Sequence, residues 1–368
     1  MQTRAPELEG EYLIKQACGI AAAVLLGISP SQALQRTDTE FKIFQFPANM
    51  IPRIDGQTDD WAMVPDSYAY GTDQLSDTVM GNFTNYDRED LDVTVRVGWV
   101  KGLNRLYFLY EAYDDYWNMY YKRGDLFEIA IDADRSGGPN IANPQIDDEW
   151  ESHFLFKGVH AQNYHIFTPA GEGRDWVFVW GCQPWIGKLP YANHAYSYDF
   201  AEGESGKLVL EFWITPFDYA PYDGPERAAL SKLEENSLIA LSWSVLDYDE
   251  DHAEYEGFWN LSHETRMDSD ASNLCAFRLM PLEPEYLKPL EAEYSFTVVD
   301  MDRRMVAFTD RSRGEISSWS WDFGDGTSST EQHPIHQYKE PGEFVVTLDV
   351  EGPKGKARRV KVNQVVVK

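Results

Sequence analysis

The sequence predicts an all-β protein built as a large antiparallel β-sandwich followed by a smaller sandwich. Apolar and polar residues alternate with period two over residues 91–99 and, in part, over residues 105–110, as they do in strands with one buried face. Clusters of Gly, Pro, Asn and Asp separate many further short strand patterns. Helical periodicity is scarce, and residues 224–235 are the only stretch that could form a short helix.

The strand patterns fall into two series with a proline-rich break between them. Pro281, Pro284 and Pro289 stiffen this break and exclude a continuous strand ladder. We therefore divide the chain into residues 1–33, a large sandwich over 34–281, a linker over 282–290 and a small sandwich over 291–368. The further strand candidates are residues 126–131, 153–156, 164–167, 176–179, 208–214, 238–245 and 273–279 in the first series, and 294–299, 306–308, 318–321, 343–350 and 357–367 in the second.

The net charge of −29 is distributed unevenly. From Tyr294 onward 11 acidic residues balance 11 basic ones, so the excess lies in the first part of the chain. Nucleic acid and anionic membrane surfaces are disfavoured as partners, because binding to either depends on clustered Lys and Arg. An acidic surface suits solubility or the capture of divalent cations, and a solvated surface without a partner is the plainer interpretation.

The N-terminus has the pattern of an export signal. Lys15 precedes an apolar run over residues 17–28, and Ser31-Gln32-Ala33 is a small-residue cleavage pattern. The run is shorter than the ~20 residues that span a bilayer, so we expect a secreted or cell-surface protein without membrane insertion. Removal of the signal would leave Cys182 and Cys275, which could form one disulfide or remain two buried free thiols.

The C-terminal series contains a tight-turn motif, Trp319-Ser-Trp-Asp-Phe-Gly-Asp-Gly-Thr327, followed by Pro334, His336, Tyr338, Gly342 and Val345-Val-Thr-Leu348. Gly324 and Gly326 supply backbone angles that such a turn requires, and Asp322 and Asp325 can bind neighbouring amides. Over about 290–368 the chain resembles a PKD domain. The resemblance implies an immunoglobulin-like sandwich with Trp321 and Tyr338 in its core, serving as a spacer or adhesion module.

The large sandwich has recognisable first and last strands. Residues 54–61, 92–99, 106–113 and 124–132 at its start, and 208–213, 238–245, 258–259 and 273–279 at its end, resemble carbohydrate-binding module family 9 and its DOMON-like relatives. The resemblance covers about residues 46–281, and residues 134–204 depart from it. It implies a sandwich that holds a sugar between aromatic rings, often with structural calcium.

That resemblance assigns aromatic residues to sugar binding. It places Trp259 at one such position and, approximately, Tyr121 with Trp117 at the other. A plainer interpretation is that Trp117 and Tyr121 cover a sheet edge. Calcium would need six to eight oxygens, and the loop that begins with Asp132 and Asp134 could supply some of them if Asp147, Asp148 or Glu149 joined it. A plain acidic turn is the alternative.

The divergent middle segment, residues 154–217, is rich in His, Tyr, Arg and Trp and supports two hypotheses. In the first, these residues form a polysaccharide lyase site in which Arg174 binds a uronate and a Tyr or His transfers the proton of a β-elimination. The candidate residues of that site are His160, Tyr164, Arg174, His194 and Tyr198.

In the second hypothesis, which we favour because no spacing here is a catalytic signature, the segment enlarges the sugar-binding face. Its candidate residues are Arg174, Trp176, Trp180 and Trp185. A glycoside hydrolase with two facing carboxylates stays open, since acidic residues are abundant. The sequence thus predicts a secreted polysaccharide-binding protein. The alternatives are an enzyme acting on polysaccharide, and a structural protein with cell-surface or matrix partners that binds no sugar.

Overall fold

The structure, a computed structural model, describes residues 34–120, 123–139, 158–171, 177–179, 183–249 and 255–368. Throughout these residues the regular secondary structure consists of β-strands and three-residue 3-10 helices. In the same ranges no helix is long and apolar enough to cross a membrane. The all-β prediction is confirmed.

Among the described residues, the large sandwich contains fifteen strands over residues 41–279. Short 3-10 helices lie at Asp59–Trp61, Asp66–Tyr68, Thr72–Gln74, Pro225–Arg227 and Ala271–Asn273. The strands are β1 Phe41–Gln45, β2 Ala69–Gly71, β3 Ser76–Asp77, β4 Leu91–Trp99, β5 Leu106–Asp114, β6 Leu126–Asp132, β7 Gln162–Phe167, β8 Val177–Val179, β9 Ala192–Tyr198, β10 Gly206–Ile214, β11 Phe217–Tyr219, β12 Ala229–Leu230, β13 Leu238–Asp247, β14 Gly257–Asn260 and β15 Cys275–Leu279.

Two antiparallel layers share strand β1. One layer has the order β8-β7-β6-β13-β15, and the other has the order β4-β5-β10-β9. Residues 41–43 of β1 pair in parallel with β15, and residues 44–45 pair in parallel with β4. The first strand therefore crosses from one layer to the other and ties them together. In the part of the chain that the structure describes, β8 and β9 lie at the two ends of the strand order.

The core lies between the layers and is filled by the apolar half of each alternating pattern. Phe127 on β6 stacks on Tyr110 of β5, with ring centroids 4.3 Å apart, and also contacts Phe212 of β10 at 6.3 Å. Trp243 on β13 is fully buried in the same cluster. These contacts join side chains from both layers, as a sandwich requires.

The segment before the first 3-10 helix is held on β10 by a buried carboxylate. Glu211 accepts hydrogen bonds from the Trp61 indole at 2.7 Å and from the backbone amides of Asp55, Gly56 and Gln57 at 3.1, 2.7 and 3.2 Å. A Cβ on Gly56 would lie 2.8 Å from the backbone carbon of Tyr196, so only glycine permits this close approach. The residues 54–61 that begin the resemblance are thus a structural anchor.

Residues 224–235, which could form a short helix, do not form one. A single 3-10 turn at Pro225–Arg227 is followed directly by β12, which pairs with β11. Gly224 has φ +125°, which stops helical structure from extending backwards. Strand pairing outweighs the local helix propensity here, because that propensity amounts to only tenths of a kcal/mol per residue.

The expected linker is ordered against the large sandwich. It contains a 3-10 helix at Pro284–Tyr286. The Tyr68 hydroxyl donates a hydrogen bond of 2.5 Å to Glu283, and the Tyr286 ring packs edge-on against Phe44 with centroids 6.3 Å apart. Leu287 is buried. These contacts extend the large sandwich into the proline-rich segment.

The small sandwich has seven strands around one aromatic core. Trp321, Tyr338 and Tyr294 are almost completely buried in it, as predicted for the first two. One sheet has the order β16-β17-β20 and the other β19-β18-β21-β22. The strands are β16 Tyr294–Asp300, β17 Met305–Asp310, β18 Ser318–Asp322, β19 Ser328–Ser329, β20 Ile335–Gln337, β21 Gly342–Gly352 and β22 Gly355–Val367.

The turn after β18 has the construction that its sequence predicts. Gly324 and Gly326 adopt φ +79° and +85°, in the region that favours glycine. Asp322 accepts a hydrogen bond from the Gly324 amide at 2.9 Å, and Asp325 accepts one from the Thr327 amide at 3.0 Å. Both carboxylates therefore hold the turn together.

Candidate functional site

A row of aromatic rings runs along the edge strand β9. His194, Tyr196 and Tyr198 occupy alternate positions, so their side chains share one face. The ring centroids of His194 and Tyr196 are 6.3 Å apart with planes inclined by 9°, and those of Tyr196 and Tyr198 are 6.0 Å apart with an angle of 22°. His194 and Tyr196 are half-buried, while 45% of the Tyr198 surface is exposed. We call these three rings the β9 aromatic row.

The β9 aromatic row is supported from within the sandwich. Its residues pair across β10 with the buried Phe212, Leu210 and Leu208, which places the rings on the core-facing side at the free edge of the layer. Phe200 continues the row at 4.9 Å from Tyr198. The row therefore has a fixed base and a partly solvent-accessible face.

The structure buries two of the three predicted tryptophans that it describes. Trp117 is 5% exposed, stacks on Phe200 at 4.4 Å with nearly parallel planes, and donates its indole N–H to the Gly206 carbonyl at 2.9 Å. Trp259 is also 5% exposed and belongs to the main core. The expectation of an open ring for sugar stacking is not met at either position, because both rings are packed into the main core.

The third tryptophan, Trp185, lies half-buried beside the core. Its ring packs edge-on against Tyr191 and Phe217 at 5.1 and 5.2 Å, and its indole N–H donates to the Pro221 carbonyl at 2.9 Å. The two ring contacts and the hydrogen bond together hold the Trp185 ring against the protein. The other predicted binding residues lie outside the described part of the chain: Tyr121, Arg174, Trp176 and Trp180.

Of the residues proposed for a lyase, the structure describes His160, Tyr164, His194 and Tyr198. Tyr164 is fully buried, because it faces the core from β7 opposite Ile129. Its hydroxyl therefore cannot reach a polymer, and the expectation that it transfers a proton is not supported. His160 is exposed before β7, with its ring 5.5 Å from that of Tyr219. His194 and Tyr198 share the β9 aromatic row, where their neighbours are aromatic rings.

The face of β6 that points away from the main core carries a buried polar network, which the alternating strand pattern does not predict. Glu128 accepts hydrogen bonds from Asn163 at 2.8 Å and from the Ser244 hydroxyl at 2.6 Å, and it lies 3.0 Å from Nε2 of His165. Burial acts to raise the pKa of Glu128, but the charge and hydrogen bond of His165, with the other two donors, outweigh it and lower that pKa to about 2. The network fixes β6, β7 and β13 to one another. The signals that could have revealed it are a Glu inside an apolar strand and polar residues at alternate positions of β7.

The first expected calcium position forms a closed acidic turn. Asp132 accepts hydrogen bonds from the amides of Ser136 at 3.2 Å and Gly137 at 2.7 Å, and Asp134 accepts one from Ser136 at 3.0 Å. Backbone amides thus donate to both carboxylates, and the assignment of calcium to this loop stays a prediction. Asp147 and Asp148 lie outside the described residues.

Of the two cysteines, Cys182 lies outside the described residues. Cys275 is a free, buried thiol on β15. Burial raises the pKa of this thiol to about 12, so it remains protonated and unreactive at neutral pH.

Comparison with known proteins identifies the small sandwich. The family model of the PKD domain matches residues 298–367. These residues form a PKD domain. The PKD1 domain of Vibrio anguillarum Epp aligns with 22% of this chain and 99% of its own length, at 27% identity and a TM-score of 0.20.

Two proteases contain sequences similar to part of this chain. Collagenase ColA of Bacillus cereus is 46% identical over 48 residues, which are 13% of this chain and 5% of the collagenase. The pre-pro-metalloprotease PrtV of Vibrio cholerae is 35% identical over 78 residues, which are 21% of this chain and 8% of the protease. The chain therefore spans less than a tenth of either protease.

A structural neighbour aligns with a larger part of the chain. A carbohydrate-binding module of family 9 from Caldicellulosiruptor kristjanssonii, in complex with cellotriose, aligns with 68% of this chain and 98% of its own length. The identity is 15% and the TM-score is 0.41.

Proposed function

We propose that the large sandwich binds a neutral polysaccharide by stacking sugar rings on the β9 aromatic row. The protein would be exported, with the PKD domain as a spacer or adhesion module toward cell-surface or matrix partners. The observation that carries the proposal is the run of three partly exposed rings at centroid spacings of 6.0 and 6.3 Å along one edge strand. The large sandwich's tryptophans at 117 and 259 then act as core residues.

The chemistry of the row suits a sugar. The C–H face of a pyranose is apolar and packs on an aromatic ring, while its hydroxyl groups need directed donors and acceptors. Tyr196 and Tyr198 carry hydroxyl groups that can do both, and His194 carries ring nitrogens. Two tyrosines and one histidine therefore combine apolar contact with hydrogen bonding in one line.

The charge of the chain favours a neutral glycan over an acidic one. The net charge is −29, and almost the entire excess lies outside the PKD domain. A polyuronate would be repelled by this surface, more strongly at low ionic strength. Among the candidate residues of the large sandwich, Arg174 is the one cation proposed to bind a uronate. We therefore expect affinity for neutral chains such as β-glucans, with acidic polysaccharides as the comparison.

The experiment is affinity electrophoresis of the full chain in gels that contain neutral or acidic polysaccharides. Tyr198→Ala should weaken retention about fivefold, since an aromatic contact contributes about 1 kcal/mol and 1.4 kcal/mol corresponds to a tenfold change. The matched control is Tyr222→Ala, which removes another exposed tyrosine of the same domain (53% exposed). This variant should bind like the wild type.

The same incubations distinguish the alternatives. New absorbance from unsaturated chain ends would indicate a lyase, and new reducing ends a glycoside hydrolase. Absence of retention by every neutral glycan would refute the proposal in favour of a structural protein. Equal loss of retention in the two tyrosine variants would show that the β9 aromatic row is not the site.

A further inference from the structure

Several acidic side chains converge at one end of the large sandwich. Asp114 is the last residue of β5 and Asp247 is the last residue of β13, with Asp249 two residues further on. One carboxylate oxygen from each of the three lies within 4.8 Å of the others. Asp90 and Asp115 form a second group of the same dimensions with Asp249. We call these five residues the acidic end cluster.

Two carboxylates of the acidic end cluster are buried with an oxygen that has no hydrogen-bond donor. Asp114 is 1% exposed and Asp247 is 2% exposed. Among the residues that the structure describes, Oδ2 of Asp114 and Oδ1 of Asp247 accept no hydrogen bond. The other oxygen of Asp114 accepts one from the Tyr116 amide at 2.8 Å. Each of these two buried aspartates thus has one oxygen to which no described residue donates.

Other carboxylates at buried or half-buried positions accept hydrogen bonds from backbone amides. Asp125 accepts the amide of Asn118 on one oxygen at 2.6 Å and the amide of Tyr248 on the other at 2.8 Å. Asp77 is fully buried and accepts the amides of Val79 and Met80 on one oxygen. Elsewhere the chain supplies donors to buried carboxylates, so their lack at Asp114 and Asp247 calls for a different partner.

Burying carboxylates side by side is costly without a positive charge. Asp114 and Asp247 are both buried, and one oxygen of each lies within 4.8 Å of the other. Within the described part of the chain, neither forms an ion pair with Lys, Arg or His. A cation bound between them would remove both the repulsion and the lack of donors.

We propose that Asp114, Asp247 and Asp249 bind a hard divalent cation of the calcium class, with Asp90 and Asp115 on its solvent side. Calcium takes six to eight oxygen ligands, and carboxylates can supply one or two each. The groups contain no His or Cys, which zinc and softer metals prefer. The proposal is independent of sugar binding. It also differs from the turn at Asp132, whose carboxylates already have amide donors.

The proposed site would join parts of the chain that are distant in sequence. Asp114 leads directly into the segment that carries Trp117, and Asn118 of that segment donates a hydrogen bond of 3.3 Å to the Asp249 carbonyl. Trp117 in turn stacks beneath Phe200 at the end of the β9 aromatic row. A bound cation would therefore cross-link the ends of β5 and β13 with the segment behind that row.

The test is calcium titration of the chelator-treated full chain by isothermal calorimetry, with thermal unfolding in parallel. We expect saturable binding and a rise of about 5 °C or more in the melting temperature, because a ligand that binds only the folded state stabilises it. Asp247→Asn keeps the shape but not the charge, and should weaken calcium binding at least tenfold. Asp134→Asn, the matched control at the satisfied turn, should leave the affinity unchanged.

The outcomes decide between the two acidic positions. No calcium binding at millimolar concentration, or unchanged affinity in Asp247→Asn, would overturn the proposal, and loss of affinity in Asp134→Asn alone would place the cation at the turn. Asp249→Asn, at a half-buried position, serves if Asp247→Asn fails to fold. Retention on glycan gels is recorded separately, so its failure leaves the calcium result intact.

Discussion

Removing the Glu211 carboxylate should strongly destabilise the large sandwich. This side chain is completely buried and is the acceptor for four hydrogen bonds that hold residues 55–61 on β10. In Glu211→Ala at least two buried donors, the Trp61 indole and the Gly56 amide, lose their acceptor. Each unsatisfied donor costs about 1–3 kcal/mol, which gives a loss of about 2–6 kcal/mol.

Two effects place the expected loss of unfolding free energy near the middle of that range. Burial raises the pKa of Glu211, so its removal relieves a carboxylate that is unfavourable to desolvate. The vacated space is a further cost. Glu211→Gln should lose less, about 1–3 kcal/mol, because one carbonyl oxygen still accepts while the new NH₂ group faces an existing donor.

The assay is urea denaturation of the full chain, followed by tryptophan fluorescence and far-UV circular dichroism. Two sandwiches allow two transitions, so the transition of the PKD domain is an internal reference. The control is Glu111→Ala, which removes the partner of Arg96 (2.7 Å apart) from the half-exposed surface of the adjacent strand. Such an ion pair contributes about 0–1 kcal/mol. If Glu211→Ala lost no more stability than Glu111→Ala, the anchoring role of Glu211 would be wrong.

Three further predictions concern other parts of the two sandwiches. Gly324→Ala should destabilise the PKD domain by about 2–4 kcal/mol in denaturant titration, because Gly324 has φ +79° and its new Cβ would lie 2.4 Å from a carbonyl oxygen. Gly326→Ala, with open space around the new Cβ, should lose only about 1–2 kcal/mol. Equal losses in the two variants would contradict the steric role of Gly324. Burial acts to raise the pKa of Asp325, but hydrogen bonds from Thr327 and His336 outweigh it and lower that pKa. The contribution of Asp325 to stability is therefore present above the unfolded pKa of about 3.9 and is lost as pH falls through the lower folded pKa. In Asp325→Asn the melting temperature should depend less on pH over this acidic range. Trp259→Ala should cost about 3–5 kcal/mol of stability, and selective loss of glycan retention at unchanged melting temperature would refute its core role.

The sequence determined the strand content and the construction of the PKD turn, because both depend on local physics. Period-two alternation is a property of a strand itself, and positive φ at Gly324 and Gly326 follows from the short connection between β18 and β19. The aspartates of that turn bind amides two residues away. No distant part of the chain is needed for any of these features.

Only the tertiary structure decided which aromatic rings are accessible and which carboxylates meet. Alternation assigns a residue to one of two faces but does not say what covers that face, so Trp117 and Trp259 are core residues while Tyr198 on an edge strand stays open. Asp114 and Asp247 lie far apart in sequence and meet because β5 and β13 end on the same side of the sandwich. Burial and proximity of this kind depend on how the layers pack, which strand patterns do not encode.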